Sequence, residues 1–171
     1  HKLLLFPKEN LSKAKNLLMS EDVLAAIEIV KKLGIKVKFR SKICEIYGKG
    51  INGYFFKKNI KLNAKNSGTL GRLILGLLID TPYPIKIIGD KSLSQRDFKR
   101  ISDPLSEFGA SFKLTKKKYL PLTIKGSKKL KPIYYLEKKG SAQCKSAVIF
   151  GGLKTNGTAT IKAKKSRNHT E

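Results

Sequence analysis

Tryptophan is absent from this 171-residue chain, cysteine and histidine each appear twice, and 12 acidic residues stand against 37 lysines and arginines. Each scarcity excludes something. Cys44 and Cys144 lie far apart with no Cys-x-x-Cys spacing, which speaks against a disulfide framework or a zinc site. They read instead as small buried hydrophobes of a reducing compartment. His1 and His169 cannot complete a metal site with them, so no metal is expected. Long apolar runs are missing too. The longest, LILGLLI at 73–79, falls far below the roughly 20 residues that span a membrane, and no charged-then-apolar leader opens the chain. The expectation is a cytoplasmic protein with no membrane partner. Because the chain begins on His1 rather than methionine, its start is expected to be missing.

Lysine is what abounds. Only Arg40, Arg72, Arg96, Arg100 and Arg167 are arginines, and the net charge is +25. Such a charge raises a nucleic-acid partner, because cations neutralise phosphates. Base readers favour arginine forks, however, and these lysines are scattered rather than massed in one arm. Solvated lysine faces are the simpler account, so no nucleic acid is expected, although the field still draws small phosphorylated anions. With 40% hydrophobic and 8% aromatic residues, the chain can build a packed core.

Internal similarity organises the chain. EDVLAAIEIVKKLG (21–34) spaces Val23, Ala26, Val30 and Leu33 as one helical face, with Ser20 as N-cap and Gly34 as stop. DFKRISDPLSEFG (97–109) places Phe98, Ile101, Leu105 and Phe108 each 75 positions later, with Pro104 expected to weaken or bend that helix. After each helix come two alternating strands around a turn, IKVKFR with ICEIYGKG and SFKLTKKK with YLPLTIKG. Then follow a strand (60–64, 132–137), a small-residue helix (66–79, 141–154) and another strand, PIKIIG or TATIKA. Residues 1–171 are thus expected to be α/β and to hold roughly two and a third units of about 75 residues, part of a larger repeated fold. HKLLLF at the start aligns with the back half of a small-residue helix.

Three motifs invite chemistry. GKGING (48–53) matches G-x-G-x-x-G, but no helix follows, so a glycine-rich hairpin turn is expected. GSAQCKS lacks the second glycine of a phosphate loop. The helix starts NSGT (66–69) and GSAQ (140–143) are more telling. Their small residues let an anion approach free amides at the positive end of a helix, although Asn66 and Ser141 are also ordinary N-caps. GDKSLSQR and KKSRNHTE each deliver a serine and an arginine, groups that grip phosphate. His169 alone reads as a satisfied hydrogen-bonding residue.

In order and spacing, NLLMSEDVLAAIEIVKKLG, NSGTLGRL, GDKSLSQR…DPLSEFGA, LPLTIKG, SAQCKSA and KSRNHTE resemble the 5-enolpyruvylshikimate-3-phosphate synthase family. The resemblance implies an inside-out α/β fold of βαβαββ units in two globules, of which this chain would be most of the first. It implies transfer of the enolpyruvyl group from phosphoenolpyruvate to the 5-hydroxyl of shikimate 3-phosphate, without cofactor, in a protein monomeric when complete. Carried over by motif, Ser141, Ala142, Gln143, Ser166, Arg167 and Lys2 would hold shikimate 3-phosphate. Gly68, Thr69, Arg96 and Gln143 would hold phosphoenolpyruvate. Lys2, Asp97 and Asn168 stand where the family usually has arginine, proline and aspartate. The family's acid/base residues would lie in the second globule, so this chain alone is expected to be inactive. An incomplete third unit would leave unpaired strands and bare helix faces, so it is also expected to be marginally stable. A nucleic-acid-binding module and the sister enolpyruvyl transferase acting on UDP-N-acetylglucosamine are the alternatives. The sister enzyme lacks the SAQ…KSA and SR-HTE pair.

Overall fold

The computed structural model describes residues 11–40, 42–51, 53–54 and 56–164. Fourteen elements follow one another: β1 (Leu11–Lys15), α1 (Glu21–Lys32), β2 (Lys36–Arg40), β3 (Ile43–Tyr47), β4 (Lys61–Asn63), α2 (Gly68–Leu77), β5 (Ile85–Ile88), α3 (Lys91–Ser94), α4 (Lys99–Glu107), β6 (Ser111–Thr115), β7 (Tyr119–Lys125), β8 (Tyr134–Glu137), α5 (Ala142–Gly152) and β9 (Thr160–Ala163). They form three sheets ordered β1-β3-β2, β4-β5-β7-β6 and β8-β9. The α/β expectation holds. In the four-stranded sheet β4 and β5 are parallel, as are β8 and β9, while β5-β7 and β6-β7 are antiparallel, as are β1-β3 and β2-β3.

Local chemistry explains most boundaries. Ser20 caps α1 by accepting the Val23 amide at 3.5 Å, Glu21 and Asp22 sit on its positive end, and Gly34 at φ 86° turns the chain out. Helix α1 serves two cores. Ile29 and Leu33 join the large cluster beneath the four-stranded sheet, and Ile27 and Val30 join a smaller one with Val37, Cys44 and Ile46. Of the face read from sequence, Val23 and Ala26 are only half-buried. The second face is complete: Phe98, Ile101, Leu105 and Phe108 are all at 0% exposure.

Helix α4 runs through Pro104 without interruption. Proline has no amide to offer the Arg100 carbonyl one turn back. The Cys144 thiol points at that carbonyl instead, 3.8 Å away. Both cysteines are buried and free, as expected.

One expectation fails and one element is unforeseen. GKGING is expected to be a hairpin turn, but among the described residues no strand follows it before Lys61. The reason is topological: β3 already has β1 on one side and β2 on the other, so no edge remains for a third partner. The loop is instead fastened to α5, whose C-terminal neighbour Lys154 donates to the Ile51 carbonyl and lies 4.9 Å over the Tyr54 ring. The unforeseen element is β1, which the sequence reading passes over. Its stretch LSKAK contains no β-branched or aromatic residue, and its pairing with β3 is a tertiary effect.

Helices α2 and α5 position the site. They lie against each other so closely that a Cβ on Gly76 would stand 2.1 Å from the Ala147 carbonyl oxygen. Only glycine permits that approach. Their starts meet through Thr69 and Gln143, and their ends meet through Asp80 and the fully buried Lys154 ammonium at 2.8 Å. Starts meeting starts and ends meeting ends means the two helices run in the same direction.

Candidate functional site

The meeting starts form the site. At α2, Ser67 is extended (φ −74°, ψ 97°), donates its own amide to the Ala64 carbonyl at 2.8 Å and accepts the Leu70 amide on Oγ at 3.3 Å. Ser141 at α5 has nearly the same backbone (φ −86°, ψ 107°) and accepts the Cys144 amide at 3.3 Å. An α-helix leaves its first amides unpaired unless something caps them. With these caps in place, the amides of Gly68 and Thr69, and those of Ala142 and Gln143, have no partner among the described residues. Each start is a cup of two free amides at the positive end of a helix, where an oxyanion is favoured.

Side chains join the cups. Gln143 donates from Nε2 to Thr69 Oγ1 at 2.9 Å and accepts on Oε1 from Arg72 Nη1 at 2.6 Å. One glutamine thus spans both. The Arg72 guanidinium also lies 5.5 Å over the Phe98 ring, a cation–π contact. Burial lowers its proton affinity, and the neighbouring charges of Arg96 and Arg100 lower it further, yet a guanidinium stays charged at any physiological pH. Arg96 closes the other side. A Cβ built on Gly68 would meet Arg96 Nη1 at 2.8 Å and Arg72 Nη1 at 3.1 Å. Glycine therefore keeps two guanidiniums directly over the first cup.

Asp90 organises the turn that carries Arg96. Its Oδ1 accepts the Leu93 amide at 2.7 Å, capping α3, and its Oδ2 accepts Asn66 Nδ2 at 2.5 Å. These two bonds, with the Arg96 charge, hold its carboxyl below the ordinary range. Asp90 is an ionised brace between the α2 start and the Arg96 turn. Two amide cups, two guanidiniums and a bridging carboxamide can bind and orient two oxyanions side by side.

Of the residues singled out from sequence, the structure brings together Gly68, Thr69, Arg96, Ser141, Ala142 and Gln143. Lys2, Ser166 and Arg167 lie outside the described residues, as do Asn168, His169 and the HKLLLF stretch. Asp97 sits just before α4, where its Oδ1 accepts the Arg100 amide at 3.3 Å. Arg72 was missed. Its signal was available, since it is the one charged residue in the otherwise apolar helix GTLGRLILGL and stands one turn after Gly68. Among the described residues no group of three or more His, Cys, Asp or Glu could hold a metal ion, and no helix is long and apolar enough to cross a membrane.

Fold and site together define an α/β protein with a paired oxyanion site at the starts of two same-sense helices. Comparison with known proteins makes the class specific. The family model for EPSP synthase (3-phosphoshikimate 1-carboxyvinyltransferase) matches residues 4–171, and the chain belongs to that family. It is 41% identical over 175 residues to the 3-phosphoshikimate 1-carboxyvinyltransferase of Streptococcus agalactiae, covering 100% of this chain and 41% of the relative. It is 44% identical over 159 residues to that of Caldicellulosiruptor bescii, covering 92% and 36%. The EPSP synthase structure from Acinetobacter baumannii superposes with a TM-score of 0.88 at 30% identity, over 98% of this chain and 38% of that one. The chain thus spans about two fifths of the length of the relatives it matches, and lies in their N-terminal part.

Proposed function

We propose that this chain supplies the phosphate-gripping part of an enzyme that moves the enolpyruvyl group of phosphoenolpyruvate onto the 5-hydroxyl of shikimate 3-phosphate, a step of aromatic amino-acid biosynthesis. The observation that carries this reading is the Arg72–Gln143–Thr69 chain of hydrogen bonds joining two amide cups. One substrate is a sugar-like phosphate and the other a small phosphate, so two neighbouring oxyanion sites are what the reaction requires.

In this reading Ser141, Ala142 and Gln143 hold shikimate 3-phosphate, with Ser166, Arg167 and Lys2 completing that site. Gly68, Thr69 and Arg96 hold phosphoenolpyruvate, and Gln143 and Arg72 touch both. The 5-hydroxyl oxygen adds to the enolpyruvyl carbon while the methylene gains a proton. The tetrahedral adduct then releases phosphate as the methyl group returns a proton. Holding both reactants in attack geometry converts a bimolecular step into an internal one. This chain's residues bind and orient, and the proton-transfer groups belong to a second globule.

We further read the fold as roughly two and a third βαβαββ units of a first globule. The matching strand pairings of the three sheets support it. In the complete protein we place the activity in a cytoplasmic monomer with no nucleic-acid partner. The test is phosphate release by the complete reading frame. Release that needs both substrates and falls at least tenfold in Arg96→Ala supports the reading. Absence of release from a folded complete protein would overturn it.

A further inference from the structure

The cup at α5 depends on a residue that touches no substrate in the reading above. Glu137, the last residue of β8, is 3% exposed. A buried carboxylate is costly unless its oxygens are filled. Here the Tyr135 hydroxyl donates to Oε2 and the Lys139 amide donates to Oε1 at 2.7 Å. Burial alone would push the carboxyl up, but these two donors, the nearby Ser141 amide and the Arg100 charge outweigh it and hold it below its ordinary range.

The consequence lies in which amides remain free. The Cys144 amide is taken by Ser141 Oγ, and the Ser141 amide lies near the Glu137 carboxylate. Among the described residues the Ala142 and Gln143 amides have no partner. The turn is closed by Gly140 at φ 67°, a left-handed conformation that lets the chain double back. The molecule contains its own comparison. Asn63 ends β4 as Glu137 ends β8, and its Oδ1 accepts the Lys65 amide at 2.9 Å. A neutral side chain thus makes one bond in the first turn where a carboxylate makes two in the second. At α2 the Ser67 amide goes to a backbone carbonyl instead.

We propose that Glu137 is a positioning residue for the α5 cup: by holding the Tyr135 hydroxyl and the Lys139 amide on either side of its carboxylate, it fixes the turn that aims the Ala142 and Gln143 amides at the phosphate of the sugar-like substrate. It rests on the reading of α5 as the shikimate 3-phosphate site. A buried negative charge behind an anion cup opposes the anion electrostatically, so its worth is geometric.

The experiment compares Glu137→Gln and Glu137→Asn with wild type in the complete protein. Calorimetry with shikimate 3-phosphate alone should show its dissociation constant raised about tenfold, the scale of one misplaced charge-assisted hydrogen bond. The KM for phosphoenolpyruvate should change by less than about twofold, and melting should remain cooperative. Hydrogen exchange should speed up at the Lys139 and Ser141 amides while the interior of α5 stays protected. Unchanged exchange at those two amides, or equal loss for both substrates together with α5 protection, would overturn the proposal. Wild-type turnover is read separately, so an inactive wild type counts against the function while the exchange result still decides for or against Glu137.

Discussion

The starts of α2 and α5 share one backbone plan and differ in what surrounds it. Both place an extended serine before the helix, spend its hydroxyl on the third amide and leave the next two amides free. Over the first cup stand Arg72 and Arg96, admitted because position 68 has no side chain. Position 142 carries an alanine methyl, and a carboxylate rather than an amide braces the turn behind it. The shared part is set by helix geometry, which supplies an anion site almost without regard to sequence. The differing part sets what each cup accepts. Two forks directly over the first pair of free amides suit a compact, highly charged anion.

The largest way to break the comparison is to separate the helices. Gly76→Ala puts a methyl carbon 2.1 Å from the Ala147 carbonyl oxygen, a backbone atom that cannot step aside. The expected cost is about 3 kcal/mol of stability, at the upper end for overpacking, measured by denaturant unfolding of the complete protein. Activity should fall along with stability.

Cutting the bridge comes next. Gln143→Ala removes the acceptor of Arg72 and the donor to Thr69, and should lower kcat/KM roughly 100-fold, or about 2.7 kcal/mol, with the fold intact. Steady-state kinetics and a melting curve together separate this from general damage.

A smaller pair of changes sharpens the contrast between the cups. Gly68→Ala presses on Arg96 and Arg72, whose guanidiniums end flexible side chains and can shift by a few tenths of an ångström. The KM for phosphoenolpyruvate should rise about tenfold, with that for shikimate 3-phosphate changed less than about twofold. Ala142→Gly should do little to either, because it removes only a methyl group and leaves the Ala142 and Gln143 amides in place. Equal responses at the two positions would erase the distinction drawn here.

The smallest effect is acid sensitivity. Asp90 and Glu137 are both held below the ordinary carboxylate range. Their stabilising contribution is therefore full above the unfolded value near about 4. It is lost as pH falls through the lower folded values. Glu137→Gln should flatten the decline in stability with acid, measured by unfolding at several pH values below about 5.

Much of this was legible in the amino-acid order. Helix α4 announces itself through Phe98, Ile101, Leu105 and Phe108, because burial of one helical face demands that spacing. The free amides at NSGT and GSAQ were also legible, since small residues after a cap have few other uses. What stayed hidden depends on contacts between distant segments. That Thr69 touches Gln143 is a fact of helix packing through Gly76, and no local pattern states it. Arg72 was overlooked because a lone arginine in an apolar helix becomes meaningful only once its neighbour across the interface is known. The glycine-rich run after β3 reads as a hairpin turn because local sequence does not reveal that both edges of β3 are already taken.

One spectrum would test the two-cup assignment directly: backbone amide shifts of the complete protein during separate titrations with each substrate. Shikimate 3-phosphate should move Ala142 and Gln143 first, and phosphoenolpyruvate should move Gly68 and Thr69. Movement of the opposite pair, or of neither pair while binding is saturated, would contradict it.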